Sequence, residues 1–224
     1  MKINNPLYDK QGIHIISSIF TVDKGVTKVL LIKRSNEPYN GMWALVGGAL
    51  YNNETLEEGI AREIYEKTGI NNIEVDVFGL FSKIDRSPFQ RMVAVGYLGV
   101  IDIDKVGLLK KTMNTSDSDW IPISLIDKLA YDHNEILSKA VEALKTKIIK
   151  TDILNSLYPN GFTLPEVQKT YEAILNKKLD RRNFRKKMLG LGLIEDTGKT
   201  KTFEGTKPAK VYKFKKNKEN KNVF

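Results

Sequence analysis

Glu54, Arg62, Glu63 and Glu66 stand at fixed intervals between Gly48 and Ile70, and they are the side chains of this sequence best spaced for chemistry. Glu63, Glu66 and Lys67 fall at i, i+3 and i+4, so a helix carries all three on one face. Clustered carboxylates are the oxygen ligands that a hard divalent ion takes in number. The stretch has its own helix signals. Thr55 and Glu58 make a capping box, and Gly69 suits the residue just past a helix end. Gly47 and Gly48, read as a loop, lack the Cβ atoms that would keep the backbone away from a metal or a phosphate. Lys67 breaks the acidic pattern. Glu63 followed four residues later by lysine is the favoured orientation for a helical ion pair, and an ammonium there takes up part of the space a cation would use.

The stretch resembles the Nudix box, Gly-x5-Glu-x7-Arg-Glu-U-x-Glu-Glu-x-Gly-U, where U is aliphatic. All defined positions agree except Lys67, which stands where the family has the second Glu of its pair. The resemblance implies a Nudix α/β/α sandwich. It implies a site holding Mg²⁺ or Mn²⁺ through Glu63, Glu66 and Gly47, with Glu63 the catalytic residue if hydrolysis survives. There the ion would neutralise a pyrophosphate and activate the attacking water. Arg62 would brace the loop. Losing one carboxylate and gaining one ammonium changes the metal face by two charges, so metal binding is expected to be weakened.

The 224 residues fit one large or two small domains. The chain has no cysteine, which excludes disulfides and thiol chemistry and is compatible with the cytoplasm. Residues 1–11 lack the apolar core of a signal peptide, and no apolar run reaches membrane-spanning length. The net charge of +9 is unevenly placed. Residues 1–150 balance 19 basic against 19 acidic side chains, whereas residues 151–224 hold 17 basic and 8 acidic. A neutral domain, 1–150, followed by a basic one, 151–224, points to a polyanion partner for the second. The lysine-rich end from Lys215 to Asn222 supplies part of that excess.

Ile13–Phe20 and Lys28–Lys33 read as strands around a turn at Asp23-Lys24-Gly25. Trp43–Val46, Ile73–Lys83, Met92–Ile101 and Trp120–Pro122 are further strand candidates. Asp85–Phe89 reads as a loop and Asn134–Ile149 as a long helix. In the second half, Thr151–Leu157 is a short helix candidate. Thr163-Leu164-Pro165-Glu166 is a capping box with proline at the helix start, and Asp180 is a further N-cap. In the helix it opens, Phe184, Met188 and Leu191 form an apolar stripe, with Arg182, Arg185 and Lys186 opposite. Leu193-Ile194 and Ala209–Phe214 read as a hairpin whose loop carries Lys199, Lys201 and Lys207. Three helices and a basic hairpin is the plan of a winged helix-turn-helix, which sets its second helix in the major groove of DNA.

Phe162-Thr163-Leu164, Asp180-Arg181-Arg182-Asn183-Phe184-Arg185-Lys186-Lys187, Lys207-Pro208-Ala209-Lys210-Val211-Tyr212 and Tyr131-Asp132-His133 are similar to segments of the Nudix-related transcriptional regulators of NAD metabolism (NrtR), a group with a sugar-responsive branch. So is Gly41-Met42-Trp43-Ala44-Leu45-Val46-Gly47-Gly48, with Val46 for a proline. The likeness covers nearly the whole chain. It implies an eroded Nudix domain that senses ADP-ribose, a related NAD metabolite or a pentose, and a homodimeric repressor on a double-stranded DNA operator. The ligand-binding candidates are Arg34, Gly48, Glu54, Arg86, Arg91 and His133, of which His133 also has a purely structural reading. The DNA-binding candidates are Thr163, Arg181, Arg182, Asn183, Arg185, Lys186, Lys199, Lys201, Lys207 and Lys210. Two rivals remain at this point: a Mg²⁺-dependent hydrolase of nucleoside diphosphate derivatives with an accessory basic domain, and an RNA-binding protein.

Overall fold

The computed structural model describes residues 10–113, 115–150, 153–202 and 207–215. They form two compact units, one built from described residues within 1–20, 29–99 and 106–141, the other within 21–28, 100–105 and 142–224.

The first unit holds most of the residues of a six-stranded sheet. Its strands are β1 (Gly12–Asp23), β2 (Val26–Arg34), β3 (Trp43–Ala49), β4 (Val75–Phe81), β5 (Met92–Val100) and β6 (Thr115–Pro122), in the order β4-β5-β1-β3-β2-β6. β1 and β2 are joined at Lys24-Gly25, both at positive φ as the tight turn requires. Helix α1 (Leu56–Thr68) packs on β3. Its capping box is formed: Glu58 N–H donates to Thr55 Oγ1 at 3.2 Å and Thr55 N–H donates to Glu58 Oε2 at 2.8 Å. Gly69 ends it at φ 78°, its N–H donating to Tyr65 O. Ile60 and Ile64, one turn apart, are buried with Ile15, Leu31 and Leu45. Burial of a Leu or Ile side chain contributes about 1.5–3 kcal/mol, so this seam fixes α1 against the sheet.

Gly47 and Gly48 lie inside β3, not in a loop as the sequence suggested. They pair with Ile16 and Ile15 of β1. The neighbouring backbone comes so close that a Cβ on Gly47 would stand 2.2 Å from Ile15 O. The two glycines keep the strand extended where any side chain would force it apart.

Helix α2 (His133–Lys150) has no glycine or proline, and the boundary between the units, after residue 141, falls inside it. The sequence expects the division at 150, where this helix ends. Residues 151 and 152, where a new helix was expected to start, lie outside the described residues, and a 3₁₀ turn at Ile153–Leu157 follows.

The second unit holds β7 (Phe162–Thr163), α3 (Leu164–Leu175), α4 (Arg181–Gly190), β8 (Ile194–Lys201) and β9 (Ala209–Phe214), its strands ordered β7-β9-β8. Tyr171 and Phe184 meet edge to face at 5.5 Å, and the rings of Phe162 and Phe214 lie tilted at 44° with centres 4.6 Å apart. Offset and edge-on ring pairs add about 0.5–1.5 kcal/mol beyond the area they bury. β8 is longer than predicted and reaches Lys201, so Lys199 and Lys201 are strand residues rather than loop residues. A register shift between Asp196 and Thr200, with Gly198 at φ 73°, lets the long strand bend.

Candidate functional site

The Nudix-like site is built where α1 lies over β3. Arg62 is its brace. Its Nε and Nη2 donate to Glu54 Oε2 and Oε1 at 2.8 and 2.7 Å, and Nη2 also donates to Ala49 O at 3.1 Å. Its guanidinium sits 3.8 Å from the centre of the Tyr51 ring. The hydrogen bonds from Arg62 hold the Glu54 carboxyl down at about 2, helped by the Tyr51 N–H. Glu54 therefore anchors the segment between β3 and α1 as a permanent anion.

Nη1 of Arg62 bonds Glu63 Oε1 at 2.8 Å and reaches Glu66 Oε2 at 3.3 Å. Glu63 is 5% exposed and lies directly over Gly48, where a Cβ would meet Glu63 Oε1 at 2.3 Å. Glycine is required at 48 for the carboxylate to sit on the strand. The other oxygen, Oε2, faces Lys67 Nζ at 2.8 Å. That contact is an ion pair without the alignment of a hydrogen bond. The same ammonium donates to Gly47 O.

This geometry bears on the metal that the Nudix resemblance implies. Gly47 O and Glu63 Oε2 are two of the oxygens expected to hold it, and both are taken by Lys67. Glu66 is half exposed and turned to Arg62. Among the described residues, no group of three or more acidic, histidine or cysteine side chains is arranged around one point. The residues present do not fit a hard divalent ion.

A second cluster adjoins the first. Arg86 is 6% exposed and pairs with Asp132 through two bonds of 3.0 Å. Its third arm, Nη1, lies 3.4 Å from His14 Nδ1. Burial, and then the Arg86 charge, holds His14 down at about 4. His133 Nδ1 accepts from Leu45 N–H at 3.0 Å, and burial holds it neutral down to about 3, with Arg86, Arg34 and Lys67 acting in the same direction. Arg34 bonds Pro38 O and Asn36 O and lies 5.0 Å from the Tyr131 ring centre. Arg91 turns to the carbonyls of Lys83 and Met92.

Of the ligand candidates, the structure thus groups Arg34, Gly48, Glu54, Arg86 and His133 around β3 and α1. Arg86 and His133 are both buried: Arg86 is paired with Asp132, and His133 Nδ1 accepts from Leu45 N–H, in line with the structural reading that His133 also had. His14 was missed by sequence reasoning; a single histidine opening a strand carries no pattern.

In the second unit, Asp180 caps α4 by accepting from Asn183 N–H at 2.9 Å. Gln168 and Glu172 clamp the preceding turn: Gln168 donates to Leu179 O and Leu179 N–H donates to Glu172. α4 buries Phe184 and Met188 and presents Arg181, Arg182, Asn183, Arg185 and Lys186 to solvent. Lys199, Lys207 and Lys210 are exposed along the β8–β9 hairpin. Lys210 pairs with Asp196 at 2.7 Å, which raises its pKa. Lys201 pairs with Glu166. Thr163 is corrected. It is fully buried, and its N–H and hydroxyl both donate to Glu166 Oε2 at 2.8 and 2.9 Å, so it caps α3 and offers no donor to a phosphate.

Known proteins match this division. The NUDIX domain family covers residues 13–143, and the family described as the NrtR DNA-binding winged helix domain covers residues 154–214. Over 201 residues the chain is 34% identical to the ADPR responsive transcriptional repressor NtrR of Acinetobacter baylyi, spanning 88% of this chain and 79% of that protein. The chain belongs to the NrtR family. It is similar in structure to Shewanella oneidensis NrtR complexed with a 27mer DNA, with a TM-score of 0.76, 28% identity, and coverage of 91% of this chain and 93% of that one. The NUDIX domain of the same Shewanella NrtR, complexed with ADP ribose, matches 62% of this chain and 93% of its own length at 28% identity and a TM-score of 0.57. As in other NrtR chains, a Nudix domain precedes the winged helix. No helix among the described residues is long and apolar enough to cross a membrane.

Proposed function

We propose that this NrtR-family chain is a metabolite-responsive repressor. The α4 face and the β8–β9 wing bind a double-stranded operator, and the Nudix domain senses ADP-ribose or a chemically related NAD or sugar metabolite. The observation that carries this reading is the sequestered Glu63. The residue a hydrolase would use is locked between Arg62 and Lys67, while a solvent-facing basic helix is fully formed on a winged scaffold. Phosphate contacts from that face supply affinity, and Arg182 and Asn183 are of the types that read base edges. The protein acts in the cytoplasm as a homodimer, whose two winged domains address two half-sites. The metabolite acts only in so far as it binds the DNA-competent and DNA-incompetent arrangements unequally.

The test is fluorescence anisotropy with full-length protein on duplexes enriched from genomic fragments, with and without ADP-ribose, beside sedimentation analysis. A dimer that selects specific duplexes and whose operator affinity changes with ADP-ribose is expected. If the protein enriches no duplex, or enriches RNA over DNA, the repressor reading falls. If it binds operator but no metabolite alters that affinity, the sensing half of the reading falls.

A further inference from the structure

We propose that the Lys67 ammonium, fixed between Gly47 O and Glu63, is a covalently tethered replacement for a divalent ion, so that this site recognises a nucleoside diphosphate without metal. The inference rests on the sensing role proposed above and adds how the anion's charge is met.

Three observations carry it. First, Lys67 Nζ donates to Gly47 O and pairs with Glu63 Oε2 at 2.8 Å. These are backbone and carboxylate oxygens of the sort a hard ion would collect. Second, the lysine is held, not draped. Its side chain is 15% exposed, the Glu63 side chain is 6% exposed, and Arg62 secures the other carboxylate oxygen. A metal ion would have to expel an ammonium from a buried carboxylate before gaining its own ligands. Third, an ammonium carries three donors. Gly47 and Glu63 engage two directions, and the third can serve a phosphate oxygen. Glu63, which would repel a diphosphate, has one oxygen on Arg62, shared with Glu54 and Glu66, and the other on Lys67. The Glu63 charge is therefore already met when a diphosphate arrives, and the one carboxylate left over, Glu66, is half exposed.

The experiment compares full-length wild type, Lys67→Glu and Lys67→Met. ADP-ribose binding is measured by calorimetry in EDTA and in millimolar MgCl₂. Binding of Mn²⁺ alone is followed by the loss of the free-ion electron paramagnetic resonance signal, and circular dichroism melts check folding. Wild type should bind ADP-ribose equally in the two buffers, because a missing metal contributes no coupling. It should also leave the Mn²⁺ signal unchanged. Lys67→Met should lose about tenfold or more in either buffer, the scale of a charge-assisted contact. Lys67→Glu should take up Mn²⁺ and bind ADP-ribose only with Mg²⁺. The proposal is overturned if wild type needs Mg²⁺ for ADP-ribose, if it depletes Mn²⁺ as Lys67→Glu does, or if folded Lys67→Met binds like wild type in EDTA. If wild type binds ADP-ribose in neither buffer, the sensing role fails, and with it recognition of the nucleotide at this site. The Mn²⁺ arm, which needs no nucleotide, then decides separately whether Lys67 keeps the ion out.

Discussion

Arg86 and Asp132, 46 residues apart in sequence, form a two-point ion pair at 3.0 Å in which the guanidinium side chain is 2% exposed. The pair ties the loop after β4 to the residue that precedes α2. Removing one partner leaves the other charge buried and uncompensated, which costs about 3–5 kcal/mol. Asp132→Asn and Arg86→Met should each lower stability by that order in urea unfolding, and the double variant should cost clearly less than the two singles summed. Additive losses would show that the two residues are not energetically paired.

Glu63 is expected to behave as a structural anion. A carboxylate kept only for metal binding is a repulsive burden in the metal-free protein, so neutralising it would stabilise. Here Glu63 compensates Arg62 and Lys67. Glu63→Gln should therefore destabilise by about 1–3 kcal/mol, the cost of leaving buried donors without their acceptor. A thermal melt that rises for Glu63→Gln would contradict the geometry.

The two histidines predict acid sensitivity. Burial holds His133 down at about 3 and His14 down at about 4 in the fold, against 6.5 when free. Between those values the unfolded chain binds protons that the folded one refuses, so stability rises with pH. Their contribution is whole above about pH 6.5 and is lost as pH falls toward 4, each site adding a slope of about 1.4 kcal/mol per pH unit. Urea midpoints measured from pH 7 to pH 4 should show this fall. His133→Asn, which can still accept from Leu45 N–H, should flatten it.

On α4, Arg182→Ala or Arg185→Ala should weaken operator binding by about 1–3 kcal/mol if the side chain reads a base. Lys186→Ala should weaken all duplexes alike and reduce the slope of log affinity against log salt by about 1. Phe184→Ala, on the buried face of the same helix, should instead cost about 3–5 kcal/mol of folding stability. Anisotropy across a salt series separates the first two effects, and a melt identifies the third.

What the sequence disclosed was local. The capping boxes at Thr55 and Thr163, the Asp180 cap, the Gly69 terminus and the Phe184–Met188 face are each written within a few residues, and each is formed. The plan of a Nudix domain followed by a winged helix was legible for the same reason. The relationships that escaped depend on distant partners. Arg86 and Tyr131-Asp132-His133 were each noticed, but nothing in one segment announces the other. Gly47-Gly48 has a loop's composition and a strand's place, because only pairing with β1 reveals the missing space. The two-residue β7 is too short for any periodicity and exists because β9 lies beside Phe162 and Thr163. Thr163 carries a hydroxyl that suits either a phosphate or a cap, and burial decides for the cap.

A receptor that borrows its cation from solution answers to two concentrations at once, that of the metabolite and that of the metal. In the metal-free receptor proposed above, Lys67, seated on Gly47 and Glu63, makes the cation part of the polypeptide, present at one per site whatever the ionic state of the cell. A sensor built this way reads a single variable. Its set point is then inherited through the gene and does not drift with magnesium supply.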